Sequence, residues 1–186
     1  MLTEDYIMRM INQALAVLMI ALGLKKAGQL SEALQTFDQA IENLIGLNAR
    51  LAKQLDDSLL LEMLTFQGKL DLDRLLVLAD IYREQAEVYS MQGQPENSQF
   101  AAQRSLRFYL EAALALDANM NLELIQKIEL LRLNIDTPTL PVETRLALLD
   151  YMDRLLASDD DILAAAGVFR PELLAAFSAL DSPDLH

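Results

Sequence analysis

The sequence predicts an all-α protein built from antiparallel helical hairpins, and three observations predict it. Leu, Ala, Met and Ile dominate the composition, whereas the 186 residues include only 6 glycines and 5 prolines, and aromatic residues make up 6%. Such a composition suits helices better than sheets. Apolar residues recur at steps of three and four, and capping residues separate the segments in which they do so. We expect about seven to nine helices in a single domain.

The first helix is predicted to begin at Thr3, which two acidic residues follow at the positive end of the helix dipole. From Tyr6 to Leu24 the side chains are mostly apolar, and almost no polar face remains after Gln13. A helix that is apolar on all sides must be enclosed, either as the central helix of the fold or in a dimer interface. The fully apolar run, residues 14–24, is shorter than the ~20 residues that a membrane crossing needs.

The first helix and the next are expected to form a hairpin around Gly28. Lys25 and Lys26 lie in the last turn of the first helix, where cations suit the carbonyl end, and Gly28 fits a left-handed cap. Ser31 is placed to cap the second helix, which has one apolar stripe. The stripe comprises Ala33, Leu34, Phe37, Ala40, Ile41, Leu44 and Ile45.

Further helices are predicted along the middle of the chain. A short helix is expected to end at Gly68, a long one to run to about Gln92, and a third to begin near Pro95. The expected caps are Asp56 or Asp57 for the short helix, Asp71 or Asp73 for the long one, and Asn119 or Asn121 for the helix that follows the third.

The last part of the chain is predicted to contain a connector and three helices. Pro138 and Pro141 mark the connector, and Pro141 suits the first position of a helix. Ser158 with Asp161 resembles a capping box for the next helix, and Pro171 starts the last. Within one domain, we expect a repeat-like core over residues 1–133, on which acidic C-terminal helices over residues 142–186 pack.

A trio of small, aromatic and small residues, Ala33, Phe37 and Ala40, follows the turn glycine Gly28. In these residues the hairpin resembles a tetratricopeptide repeat, whose unit is a helix pair of about 34 residues. An imperfect echo runs from Tyr82 to Ala112, and the segment between the two does not fit the repeat. The resemblance implies either a right-handed stack of hairpins or a closed helical bundle.

Two short segments carry a second resemblance. The opening EDYIMRMI and the later LPVETRLALLDYM, taken with the repeat-like middle, are similar to a family of small, uncharacterised bacterial helical proteins. This resemblance implies a helical fold in a bacterial protein and brings no activity with it.

The charge of the chain predicts which partners it avoids. A formal net charge of −13 repels phosphate backbones and anionic membrane surfaces. We therefore expect neither nucleic acid nor a membrane as a partner. The first ten residues carry more acid than base, whereas a secretory signal begins with positive charge, so the cytoplasm is the expected location.

The sequence lacks the usual residues of catalysis and metal binding. It has no cysteine, and its only histidine is the last residue, His186, so no Ser–His–Asp triad or two-histidine metal motif can form within the chain. The acidic run 159–161 lacks the spaced loop that Ca²⁺ needs. Arg104 and Arg107 are one turn apart and can hold an anion, but a surface ion pair of Arg107 with Glu111, four residues further on, is the expected role. We expect no enzyme, no cofactor and no metal site.

Two sets of residues are candidate interaction sites, because the first helices of tetratricopeptide pairs line a groove. In the long middle helix the groove positions are Asp80, Arg83, Glu87 and Met91, which form either a partner-binding strip or an ion-paired outer face. In the first helix they are Leu15, Leu18 and Leu22, which indicate a groove filled by another helix of the chain or by a second copy.

The sequence therefore predicts a non-enzymatic helical scaffold for protein–protein interaction or self-association, for which a homodimer is one form. The alternative is a carrier of a small molecule or lipid. Its apolar cavity would be lined by Met8, Met10, Met19, Met63 and Phe66.

Overall fold

A computed structural model of the chain describes residues 2–116 and 121–180 and confirms the all-α class. These residues contain ten α-helices, somewhat more than expected, one 3₁₀ turn at Thr137–Thr139, and two short strands, β1 (Thr65–Phe66) and β2 (Lys69–Leu70). The helices are α1 Leu2–Lys26, α2 Leu30–Ile45, α3 Ala49–Gln54, α4 Asp57–Met63, α5 Leu72–Met91, α6 Pro95–Ala115, α7 Leu122–Asn134, α8 Val142–Leu156, α9 Asp160–Ala166 and α10 Arg170–Leu180.

The chain divides into two compact units, Met1–Phe108 and Tyr109–His186. The division falls inside α6. From the sequence, we expected the boundary between the repeat-like core and the acidic C-terminal helices to lie between residues 133 and 142. A helix that continues across the division has no change of composition at that point, so the sequence carries no local signal of it.

In the first unit, α1, α2 and α5 pack against one another. The apolar stripe predicted for α2 provides the centre of this packing, and Ala33, Phe37, Ala40 and Ile41 are fully buried there. Leu34, at the edge of the stripe, is only half-buried. Full burial of a side chain such as Phe37 contributes about 1.5–3 kcal/mol, so this stripe is a main source of the stability of the unit.

The hairpin turn at Gly28 forms as predicted. Gly28 has a φ of 76°, in the left-handed region that favours glycine. Its N–H donates to the carbonyl of Lys25, and the N–H of Gln29 donates to the carbonyl of Leu24, both at 3.0 Å. This pair of bonds is the Schellman motif. The turn between α5 and α6 has the same motif around Gly93, with a φ of 69°.

The predicted caps in the first unit are confirmed for α4 and α5 and wrong for α1 and α2. Thr3 does not cap α1, because α1 already begins at Leu2. Asp56 accepts a hydrogen bond from the backbone of Leu59 at the start of α4, and Asp71 accepts one from Arg74 at the start of α5. Ser31 does not cap α2, because α2 already begins at Leu30. The Schellman turn brings the chain back into helix two residues earlier than a cap at Ser31 requires, and Gln29 takes the cap position.

The short helix expected to reach Gly68 ends instead at Met63. A β-hairpin with a two-residue turn, formed by β1 and β2, follows it. The turn residues Gln67 and Gly68 have φ of 51° and 75°. Two successive positive φ values are the geometry of a type I′ turn, which matches the twist of an antiparallel pair. The β-branched and aromatic residues of β1 favour this pairing over a longer helix.

In the second unit, α8 packs against α10 and α7 packs against α9. Asn121 caps α7 by accepting a hydrogen bond from the backbone of Glu123 at 2.8 Å, whereas Asn119 lies outside the described residues. Pro141 immediately precedes α8, and Pro171 lies in the first turn of α10. The capping box predicted at Ser158 is wrong, because its hydroxyl donates back to the carbonyl of Arg154.

Candidate functional site

The polar residues where α1 and α5 pack form a closed set of ion pairs. The ammonium group of Lys25 donates to Glu84 Oε2 at 2.6 Å and also bonds Glu87. Arg83 Nη2 donates to the other oxygen of Glu84 at 2.7 Å. Burial alone would lower the pKa of Lys25, but the bonds and charges of Glu84 and Glu87 outweigh it and raise that pKa above its ordinary value. The lysine is therefore held in its charged form.

The four partner-binding candidates on α5 follow one another along the helix, but their surroundings differ. Asp80 and Arg83 are half-buried, whereas Glu87 and Met91 are exposed. Glu87 is held by Lys25 of α1. The structure therefore brings Glu87 and Arg83 into the ion-paired set and leaves Met91 at the end of α5 as the exposed apolar member.

The three self-association candidates on α1 do not share one environment either. Leu18 is 7% exposed and belongs to the core, together with Ile11, Ala14 and Ala21. Leu22 is half-buried, and Leu15 is 39% exposed. At about 100° per residue the three leucines span only about 60° of the helix circumference, so they lie along one edge of α1, where its packed side meets the exposed side.

The expectation that α1 is enclosed on all sides is wrong for the chain by itself. A helix in the core of a soluble protein is mostly buried. In α1, by contrast, only 22% of the most apolar stretch is buried. Twelve residues between Asp5 and Lys26 are exposed, over about half the circumference, and eight of them lie within a stripe about 100° wide, which we call the outer face of α1. These are Asp5, Met8, Asn12, Leu15, Ala16, Met19, Gly23 and Lys26.

The outer face of α1 presents large apolar side chains to solvent. Met8 is 50% exposed and Met19 is 67% exposed, and Ile20 beside the stripe is exposed as well. Sequence reasoning missed Met8, Ala16, Met19 and Gly23 as members of one surface, because a helix apolar all round has no pattern that distinguishes its inner side from its outer side. The spacing of the polar residues Asp5, Asn12 and Lys26 marks this side in the sequence.

The methionine-lined cavity expected for a carrier is not formed by the residues proposed for it. Met8, Met19, Met63 and Phe66 are all exposed. A side chain at the surface cannot line an enclosed cavity. The sequence placed these residues inside because methionine commonly fills core gaps, and composition does not reveal which side of a helix is covered.

The length of α1 bears on membranes as well as on proteins. The helix from Asp5 to Lys26 is long and apolar enough to cross a membrane by length and composition. Core helices of soluble proteins and signal sequences pass the same criterion. The apolar run predicted from the sequence is shorter than this helix, because the polar residue Gln13 interrupts the run. The helix α1 itself continues through Gln13.

Arg104, one of the two arginines placed to hold an anion, is buried, since its side chain is only 4% exposed. Arg104 Nε donates to Asp57 Oδ1 at 2.7 Å, Nη1 donates to the carbonyl of Ala52 at 3.0 Å, and Nη2 donates to that of Leu55 at 2.5 Å. The guanidinium lies 4.7 Å from the ring centre of Phe100. Arg104 thus binds the end of α3 to the start of α4 and is not free to hold an anion.

A second buried polar pair lies in the second unit. Glu129 of α7 is held by Arg132, whose Nη2 donates to Oε2 at 2.6 Å. Tyr151 of α8 lies close enough for the charge of Glu129 to act on its phenol, but outside ordinary hydrogen-bond geometry. Burial raises the pKa of Tyr151 well above its usual range, and Glu129 raises it further. The phenol therefore stays neutral.

In residues 2–116 and 121–180, no group of three or more His, Cys, Asp or Glu side chains is arranged to hold a metal ion. The buried carboxylates just described are each bonded to a cation of the protein. In the first unit, the outer face of α1 is an exposed surface with large apolar side chains, whereas the exposed side of an ordinary solvated helix is polar.

Comparisons with protein-family models, with curated proteins and with solved structures find no match for the chain.

Proposed function

We propose that the chain is a helical interaction protein whose association surface is the outer face of α1. The observation that carries the proposal is the exposure of Met8, Leu15 and Met19 along one side of a helix whose other side is packed. Contiguous exposed apolar surface on a soluble domain is typical of an interaction site. Association would remove these side chains from water, and burial of one such side chain contributes about 1.5–3 kcal/mol.

The way α1 is held suits a role in binding. Ile11, Ala14 and Ala21 anchor its inner side in the core, and Lys25 joins its end to α5 through Glu84. A surface fixed in this way loses little conformational freedom on binding, because the helix is already formed. The rest of the unit then acts as a scaffold that presents the outer face.

The proposal can be tested by photo-cross-linking from the surface itself. A photoreactive amino acid replaces Met19 in the full chain, and adducts are collected in cells of the source organism. The matched control carries the same group at Leu133, which is 74% exposed on α7 and lies away from α1 in the sequence. We expect protein adducts from position 19 and few from position 133. Equal adduct yields from the two positions would refute a specific surface on α1.

A substitution provides the second arm. Met19→Glu places a charge at the centre of the outer face without disturbing the core, because Met19 is on the exposed side. Circular dichroism should show unchanged helix content, and cross-linking from position 8 should fall sharply. Leu133→Glu is the control, which should leave the yield from position 8 unchanged.

A further inference from the structure

We infer that the occupant of the outer face of α1 is a second copy of this chain, docked with its α1 antiparallel about a twofold axis between Leu15 and Ala16. The inference rests on the proposed function, since it names the partner of the same surface. It is carried by the arrangement of size and charge along the outer face.

A helical stripe centred between positions 15 and 16 maps onto itself when the helix direction is reversed, so each member at position i lies opposite position 31 − i. All eight members are exposed, and the residue types in each pair decide whether two copies fit together. The pairs are Asp5 with Lys26, Met8 with Gly23, Asn12 with Met19, and Leu15 with Ala16. A twofold axis perpendicular to a helix brings such pairs opposite each other, which is the condition for a self-complementary interface.

The side chains within these pairs are complementary in size. Met8 would face Gly23 of the second copy, and Leu15 would face Ala16 of the second copy. No atom in the described part of the chain lies within 4 Å of the position that a Cβ on Gly23 would occupy. A flexible methionine fits the space above a glycine, and a large residue opposite a small one allows two helices to approach closely.

The charges at the two ends of the outer face select the antiparallel direction. Asp5 of one copy would lie opposite Lys26 of the other, so the dimer would contain two such pairs of opposite charge. In a parallel arrangement each of these residues would lie opposite its own copy, and like charges repel.

A lipid surface fits the outer face less well. Helices that lie on membranes carry several lysines or arginines along the polar flank, whereas the exposed residues of α1 between Asp5 and Lys26 include two cations, Arg9 and Lys26, and one acid. A membrane crossing would pull Lys25 away from Glu84 and the inner side of α1 away from the core. Binding to a lipid surface is therefore treated as an alternative result of the test.

The absence of cysteine from the chain makes a direct test of direction possible. Single-cysteine variants Met8→Cys and Gly23→Cys are oxidised separately and as an equimolar mixture, with a mass tag on one of them. The antiparallel dimer predicts a disulfide between the two variants in the mixture and little disulfide in either alone. Strong self-linking of each variant, with no preference in the mixture, would overturn the antiparallel arrangement.

The solution mass and the charge pairs test the same interface without cross-links. Light scattering should give twice the 20.8 kDa of the chain for the wild type and for Leu133→Glu, and the monomer mass for Met19→Glu. Asp5→Lys should raise the dissociation constant of the dimer about tenfold, and Lys26→Glu should raise it by a similar factor. The double variant Asp5→Lys/Lys26→Glu should restore the wild-type dissociation constant. Failure of the double variant to recover would contradict the Asp5–Lys26 pairing.

The remaining outcomes separate this inference from the proposed function. In one outcome the wild-type chain is monomeric at tens of micromolar, but position 19 cross-links to another protein. That result contradicts a second copy as the occupant and still supports the outer face of α1 as an interaction surface. A wild-type chain that binds neutral phosphatidylcholine vesicles through Met19, and gives no protein adducts from that position, overturns both. Self-adducts from position 19 together with the dimer mass support both.

Discussion

Removal of the Arg104 side chain is the most informative change to the fold of the first unit. The variant Arg104→Met keeps the length and apolar part of the side chain and removes the guanidinium. Four partners then lose a hydrogen bond: the Asp57 carboxylate at 2.7 Å, the Ala52 carbonyl at 3.0 Å, the Leu55 carbonyl at 2.5 Å and the Tyr82 hydroxyl at 3.3 Å. The two carbonyls belong to the last turn of α3, where the helix itself provides no donors.

The expected loss is about 3 kcal/mol in the free energy of unfolding. Breaking a buried ion pair by removal of one partner costs about 3–5 kcal/mol. The Asp57 side chain is 25% exposed, so water can partly replace its lost bond, and the loss should lie near the lower end. Burial already raises the pKa of Asp57 against the opposing charge of Arg104, and without Arg104 the carboxylate loses its main compensation.

Urea unfolding followed by circular dichroism measures this loss, since the chain has no tryptophan for fluorescence. If the two units unfold in separate transitions, the loss of stability should appear in the transition of the first unit. Arg50→Met is the matched control, because Arg50 is exposed on α3, and it should cost less than about 0.5 kcal/mol. The double variant Arg104→Met/Asp57→Asn should be more stable than the single variant, because the unpaired charge is gone.

Two results would refute this reasoning. One is a loss for Arg104→Met no larger than that for Arg50→Met, which would mean that the bonds to Ala52 and Leu55 do not contribute. The other is the absence of any gain from Asp57→Asn in the double variant. In Arg104→Met, stability should also rise as the pH falls toward the range where Asp57 takes up a proton, because a raised carboxyl pKa makes the folded state the better proton acceptor.

Three further predictions concern the turns and the lysine of α1. Gly28→Ala should cost about 1–2 kcal/mol in urea unfolding, because φ is 76° there, and Gly28→Asn should cost less, since asparagine tolerates the left-handed region. Gln67→Gly should leave stability unchanged or raise it by about 0.5 kcal/mol, because Gln67 has a φ of 51° in the hairpin turn, whereas a clear loss would show that the Gln67 side chain contributes. Lys25→Met should cost about 1–3 kcal/mol at pH 8. Because the folded-state pKa of Lys25 is raised above 10.5, its contribution is complete below that pH and is lost as the pH rises through the folded value, so wild type and variant should converge in alkaline urea titrations.

The features that sequence reasoning predicted correctly depend on residues close together in the chain. Gly28 ends α1, Asp71 caps α5, Pro95 begins α6 and Asn121 caps α7, and each acts on a backbone group within a few residues of itself. Such signals are visible in a local window, because cap geometry does not depend on what packs against the helix.

The features that sequence reasoning missed depend on which elements pack together. Arg104 is an ordinary surface arginine by its neighbours in sequence, and its burial follows from the approach of α3 and α4, about fifty residues earlier. The hairpin at Gln67 was read as helix because an apolar run of that length fits either structure. For α1, periodicity could not separate the inner side from the outer side, since both are apolar.

The proposed dimer also reconciles the charge of the chain with its exposed apolar helix. Two copies that each carry a net charge of −13 repel each other at long range, which discourages unspecific association through Met8 or Met19. At physiological salt the repulsion is screened beyond about 8 Å, so a close and well-matched contact can still form. An apolar surface with opposite charges at its two ends meets that condition in one orientation and one register. The acidic surface would thus suppress unspecific contacts, and the pair Asp5 and Lys26 would select the specific one.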